Sequence, residues 1–127
     1  MINYEGKRFR AVTDDPGSDA PPAAAGGSPT VGPGVSSCLA TYHQDGDLVW
    51  AEFAGGEVRR GSLAGTCDPE GTLDFAYCMV LRDGGVISGR SVNTPQVLAD
   101  GRIRLHERWE RYGPHSARGI SYMEEVA

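Results

Sequence analysis

Arg102-Ile103-Arg104-Leu105-His106-Glu107-Arg108-Trp109-Glu110-Arg111 is the run whose reading decides the fold. In an extended strand successive side chains point to opposite faces. One face then carries Ile103, Leu105, Glu107 and Trp109, and the other Arg102, Arg104, His106, Arg108 and Glu110. A helix would repeat its apolar residues every third or fourth position, whereas here they recur every second one. The run therefore predicts a strand with a polar, solvent-facing side and an apolar side interrupted by one carboxylate. Glu107 is that carboxylate.

Working outward, the same alternation returns between turn signals. Asp100-Gly101 precedes the run and Gly113-Pro114-His115-Ser116 follows it, leading into Gly119 to Val126. Upstream, Cys38–His43, Leu48–Ala54, Glu57–Thr66, Leu73–Leu81 and Val86–Thr94 read as strands, the last ending at Pro95. Their connections carry Asp-Gly and Gly-Gly pairs, the best short-range hairpin signals. Residues Ile2 to Val12 predict a first strand kinked at Gly6. No ten-residue stretch has helical periodicity.

About eight strands joined mostly by hairpins leave no crossover long enough for a parallel pair. Such a meander must bury one face and dispose of two edges, and closing on itself does both. The expected fold is thus all-β, an eight-stranded antiparallel up-and-down barrel with almost no helix. A two-sheet sandwich is the competitor, but sandwiches usually need longer Greek-key connections. A barrel of this size either fills with side chains or holds one small ligand.

The chain has 127 residues, the size of a single domain over 1–127. Residues 13–34 hold most of the prolines and almost no large apolar residue, so they predict a mobile loop. A tolerated surface insertion explains that loop better than a functional lid. The 18 glycines fit many tight turns. A net charge of −5 argues against nucleic acid or an anionic membrane surface, both of which need a concentrated basic footprint. The opening Met1 to Lys7 lacks the apolar stretch of a secretory leader, and no later run approaches transmembrane length. Three cysteines without such a leader read as free thiols in a reducing compartment, so the protein is expected in the cytoplasm.

Parity assigns an inner face to each strand. Leu73, Phe75, Tyr77, Met79 and Leu81 form the clearest one. Elsewhere Leu48, Trp50 and Glu52 share a side, as do Val86, Ser88, Arg90, Val92 and Thr94, and Ile120, Tyr122, Glu124 and Val126. These neighbouring faces are less decided than that of Leu73–Leu81, and the candidate interior gathers Glu107, Glu52, Glu124 and Arg90 with Trp50, Tyr77, Trp109 and Tyr122. A buried carboxylate must pair or become neutral, and Arg90 is the natural partner. The cysteines and His43, His106 and His115 lack metal-ligand spacing, so no metal site is expected. Neither a nucleophile elbow, a phosphate loop nor a dinucleotide fingerprint is present, and no cofactor is expected.

Met1–Arg10, Leu48–Gly56, Gly61–Gly65, Asp100–Trp109 and Glu124-Glu125-Val126 together resemble a family of short bacterial proteins that often carry the label N-acetylglutamate synthase. The resemblance covers nearly the whole chain except the Pro/Gly/Ala-rich loop. An acetyltransferase of the usual kind needs a helix N-terminus over the cofactor pyrophosphate, and this chain offers no such helix. What the resemblance implies is a small calycin-like barrel, similar in size to avidins and fatty-acid-binding proteins, with no assigned active site.

Three functions follow. The first is a binder of a small amphipathic molecule, with Trp50, Tyr77 and Trp109 as apolar contacts, Glu107 and Arg90 as anchors, and Glu52 and Tyr122 beside them. The second is a cofactor-independent cyclase or isomerase using Glu107 as acid or base. The third is a filled barrel serving in assembly, for instance as a homodimer.

Overall fold

The computed structural model describes residues 2–12 and 38–126. The expected loop at 13–34 lies outside them. Eight strands run in order: β1 (Arg8–Val12), β2 (Leu39–Asp45), β3 (Leu48–Gly55), β4 (Val58–Cys67), β5 (Leu73–Leu81), β6 (Val86–Val97), β7 (Ile103–Arg111) and β8 (Ala117–Glu125). Each pairs antiparallel with its sequence neighbour, and β1 pairs with β8, so the sheet closes into a barrel. The sandwich reading is thereby set aside. Among the described residues the one helical element is the single 3₁₀ turn Gly113–His115. Among the described residues no helix is long and apolar enough to cross a membrane.

The turns form where left-handed backbone is available without a Cβ penalty: Gly46, Gly84 and Gly101 all have positive φ. Most strand boundaries shift slightly from the expected runs, and two of the shifts have a clear physical cause. The first strand begins only at Arg8, because the chain turns at Gly6 (φ +78°) and Tyr4 folds inward. Tyr4 donates from its hydroxyl to the Gly71 carbonyl at 2.6 Å and stacks near Phe9 and Tyr42, closing one end of the barrel. At the other correction, β6 runs through Pro95 to Val97, two residues beyond the expected stop. Past Asn93, β6 has left its pairing with β5 and pairs only with β7, so a residue without an N–H is tolerated as at a sheet edge.

Burial fixes which face of each strand is inside. Val49, Ala51 and Phe53 are buried on β3, Leu73, Phe75, Tyr77 and Met79 on β5, and Ile103, Leu105, Glu107, Trp109 and Arg111 on β7. Large rings lie flat against the wall where the neighbouring strand offers only glycine. A Cβ at Gly61 would overlap the Phe53 ring, and one at Gly119 would stand 2.6 Å from the Trp109 ring. Each such pair lets one aromatic cover two strands.

Candidate functional site

Hairpin pairing carries a face across strands, because residues opposite each other point the same way. Along one row the register brings together Asn93 of β6, Glu107 of β7 and Ser121 of β8. Ser121 Oγ donates to Glu107 Oε1 at 2.7 Å, and Asn93 Nδ2 donates to Oε2 at 3.1 Å. Ser91 Oγ in turn donates to Asn93 Oδ1 at 2.6 Å, which fixes the amide orientation that presents Nδ2 to the carboxylate. Glu107 is only 2 % exposed, so both oxygens are satisfied by protein donors instead of water.

A second row, nearer the end of β7, holds Tyr77, Gly89 and Arg111. With no side chain on Gly89, the Tyr77 hydroxyl passes across β6 and donates to the Glu110 carbonyl at 3.1 Å. Arg111 hydrogen-bonds the same hydroxyl, and burial lowers the Arg111 pKa from its ordinary value. Tyr77 therefore lies between two opposite charges. Burial raises its pKa first, Glu107 raises it further, and Arg111 lowers it.

The charge of Glu107 is felt by two more inward groups. Burial, and then Glu107, push the Cys38 thiol up to about 12. Tyr42, fully buried, is raised well above its ordinary value by the same two causes in the same order. The Tyr42 ring is held edge-on by Phe9, with centroids 5.3 Å apart. The Tyr42 hydroxyl and Trp109 Nε1 are buried polar atoms of this interior with no hydrogen-bond partner among the described residues.

Of the residues expected to share the interior, Glu107, Tyr77 and Trp109 do so. Five others stand on the outer wall, among them Glu124, whose carboxylate lies 3.8 Å from the Arg104 guanidinium. Trp50 is 38 % exposed and stacks on His43. Glu52 is exposed and pairs with Arg60 at 3.0 Å. Arg90 is exposed and pairs with Asp74 at 2.7 Å, so the expected Glu107–Arg90 bridge does not form. Tyr122 lies half-buried outside, beneath the Arg104 guanidinium at 4.7 Å. That contact also corrects the reading of the polar face of β7 as purely solvent, since Arg104 is only 8 % exposed. From the same outer wall Arg90, Val92, Arg108, Glu110, Arg118 and Ile120 line an open groove of about 530 Å³, which Trp109 and Gly119 also border.

On β3, β6 and β8 the sequence does not choose the inner face, because both sides of those strands carry apolar residues. The turn at Arg82–Gly85 resolves β6. It sets Val80 opposite Val86, so inward Met79 faces Ile87, and Gly89, Ser91 and Asn93 follow on the inner side. Arg111 needed only one further step along the alternation of β7. Ser121 and Tyr42 had no signal of their own and follow from register alone.

The profile of the avidin-like protein family matches residues 29–126. The chain belongs to the avidin-like family. No curated protein and no solved structure matches it. Family and closed eight-stranded barrel together make this avidin-like chain a small calycin-like barrel, an architecture of the small-molecule-binding kind. Among the described residues no three His, Cys, Asp or Glu side chains gather to hold a metal ion.

Proposed function

We propose that this avidin-like barrel binds a small, largely apolar molecule in its interior. Glu107, Asn93, Ser121 and Tyr42 form the polar part of the site, and Tyr77 and Trp109 form its aromatic walls. The observation that carries the reading is the cross-strand row Asn93–Glu107–Ser121, a carboxylate buried in the middle of an otherwise apolar lining. Apolar interiors with a few convergent polar groups are how ligand pockets gain orientation and specificity.

An acid–base role for Glu107 is less well supported. Each of its oxygens already accepts a hydrogen bond, which suits a fixed anchor better than a group that exchanges protons with a substrate. A filled barrel would be expected to leave no buried donor idle, and the Tyr42 hydroxyl and the Trp109 indole N–H are idle here among the described residues. We place the protein in a reducing compartment, because Cys38, Cys67 and Cys78 are free thiols.

Trp109 emission tests the reading. In a Trp50→Phe protein, a panel of small amphiphiles is titrated and the change in emission followed. A saturable change that weakens in Tyr77→Ala supports the interior site. If no member of the panel changes the emission, and native mass spectrometry finds no co-purified molecule, the reading is wrong.

A further inference from the structure

The hydrogen-bonding capacity left over in the interior has a sign. Each of these acceptor oxygens is already engaged: Glu107 Oε1 takes Ser121, Glu107 Oε2 takes Asn93, and Asn93 Oδ1 takes Ser91. No buried carboxylate or amide oxygen lacks a partner among the described residues. The Tyr42 hydroxyl, on a residue 0 % exposed, and the Trp109 indole N–H, on a residue 2 % exposed, are idle. An indole N–H can only donate, and a phenol hydroxyl can donate or accept, so the Trp109 N–H sets the demand for an acceptor.

The formal charges also set a limit. Among the described residues buried on the inner face, Glu107 and Arg111 are the charged pair, one of each sign. Bringing in a ligand with a net charge would add a buried charge without a counter-charge, which is strongly unfavourable. A buried donor that meets no acceptor likewise costs free energy, so an incoming molecule binds best when it brings acceptors.

We infer that the ligand is a neutral molecule rich in hydrogen-bond acceptors and poor in donors, a ketone, ester or lactone on an apolar skeleton, whose carbonyl oxygen accepts from Tyr42 or Trp109. Phe75, Met79, Ile87 and Leu105 supply the apolar surface for the skeleton. The inference rests on the interior-site reading above and narrows it to one chemical class.

The test uses the full-length chain and three matched probe sets: methyl ketones, primary amines and carboxylates on the same alkyl and phenylalkyl skeletons. Binding is measured by calorimetry on wild type, Tyr42→Phe and Trp109→Phe. The ketones should bind at least tenfold more tightly than the amines and carboxylates. One of the two variants should lose about tenfold in ketone affinity, the effect of one hydrogen bond. Without ligand, Tyr42→Phe should melt no lower than wild type, because it removes a buried hydroxyl that has no partner to lose.

Amines or carboxylates binding as tightly as ketones would overturn the chemical class while leaving the interior site standing. Ketone affinity unchanged in both variants would do the same. A lower melting temperature for ligand-free Tyr42→Phe would also overturn it, because the hydroxyl would then be engaged within the protein. Absence of binding by every probe set would defeat the interior site as well.

Discussion

Ser121 on β8 and Glu107 on β7 face each other across the ladder, and the Ser121 hydroxyl donates to the Glu107 carboxylate at 2.7 Å inside a closed barrel. With Asn93 on the other oxygen, the carboxylate ties three consecutive strands together at one level. Charged acceptors make hydrogen bonds roughly twice as strong as neutral ones, so this row is a strut of the barrel as well as the centre of its site.

Breaking the strut from its two sides should have unequal effects. Glu107→Leu leaves the Ser121 hydroxyl and the Asn93 amide without their acceptor and is expected to destabilise the fold by about 2–4 kcal/mol. Ser121→Ala removes one donor while Asn93 remains, and should cost about 1–2 kcal/mol. Urea denaturation of the two variants measures both. Equal and small effects would mean that the row contributes little to the closed form.

The fold should hold its stability through neutral pH and lose it in alkali. Tyr4, Tyr42 and Tyr77 are all held above the ordinary 10.0 chiefly by burial, and Cys38 is pushed from 9.0 to about 12. A group with a raised folded pKa adds stability that is intact below its unfolded pKa. That stability falls as pH rises further, since only the unfolded chain then releases the proton. Thermal melts from about pH 7 to about pH 11 should be flat at first and then decline from near pH 9, by up to about 1.4 kcal/mol per group for each further pH unit.

The two tryptophans should report opposite surroundings. Trp50 is on the outer wall against His43, and Trp109 is buried over Gly119. Acrylamide should quench the emission of Trp109→Phe, which retains Trp50, several times more strongly than that of Trp50→Phe. Similar quenching in both would contradict the face assignment of β3 or β7.

Space beside Trp109 is also testable from its neighbour. A Cβ at Gly119 would come within 2.6 Å of the indole ring, so Gly119→Ala must displace it. Overpacking of this kind costs about 1–3 kcal/mol. The variant should lose that much in denaturation and shift Trp109 emission, whereas Gly101→Ala, which meets no atom within 4 Å, should leave Trp109 emission unchanged.

The fold was legible because hairpin signals and period-two alternation are local, and an eight-stranded meander has few ways to close. The buried carboxylate was legible for the same reason: one face of β7 is so polar that only the other can be inside. The rest of the site depends on register, which is not local. On β6, Val86 and Val92 outside balance Ile87 inside, so composition cannot choose between Arg90 and Asn93 as the inward polar group. Nor does Tyr42 differ in sequence from any half-buried tyrosine. Its place beside Phe9 and within reach of Glu107 comes from the pairing of β1 with β2 and the closure of β1 on β8.

Whether the barrel is a container can be read from its two indole N–H resonances, since the chain has two tryptophans. A ketone titrated into isotopically labelled wild-type protein should shift the Trp109 indole resonance and leave that of Trp50 in place. A shift confined to Trp50, or none in either resonance for any probe, would contradict a ligand held against Glu107 inside the barrel.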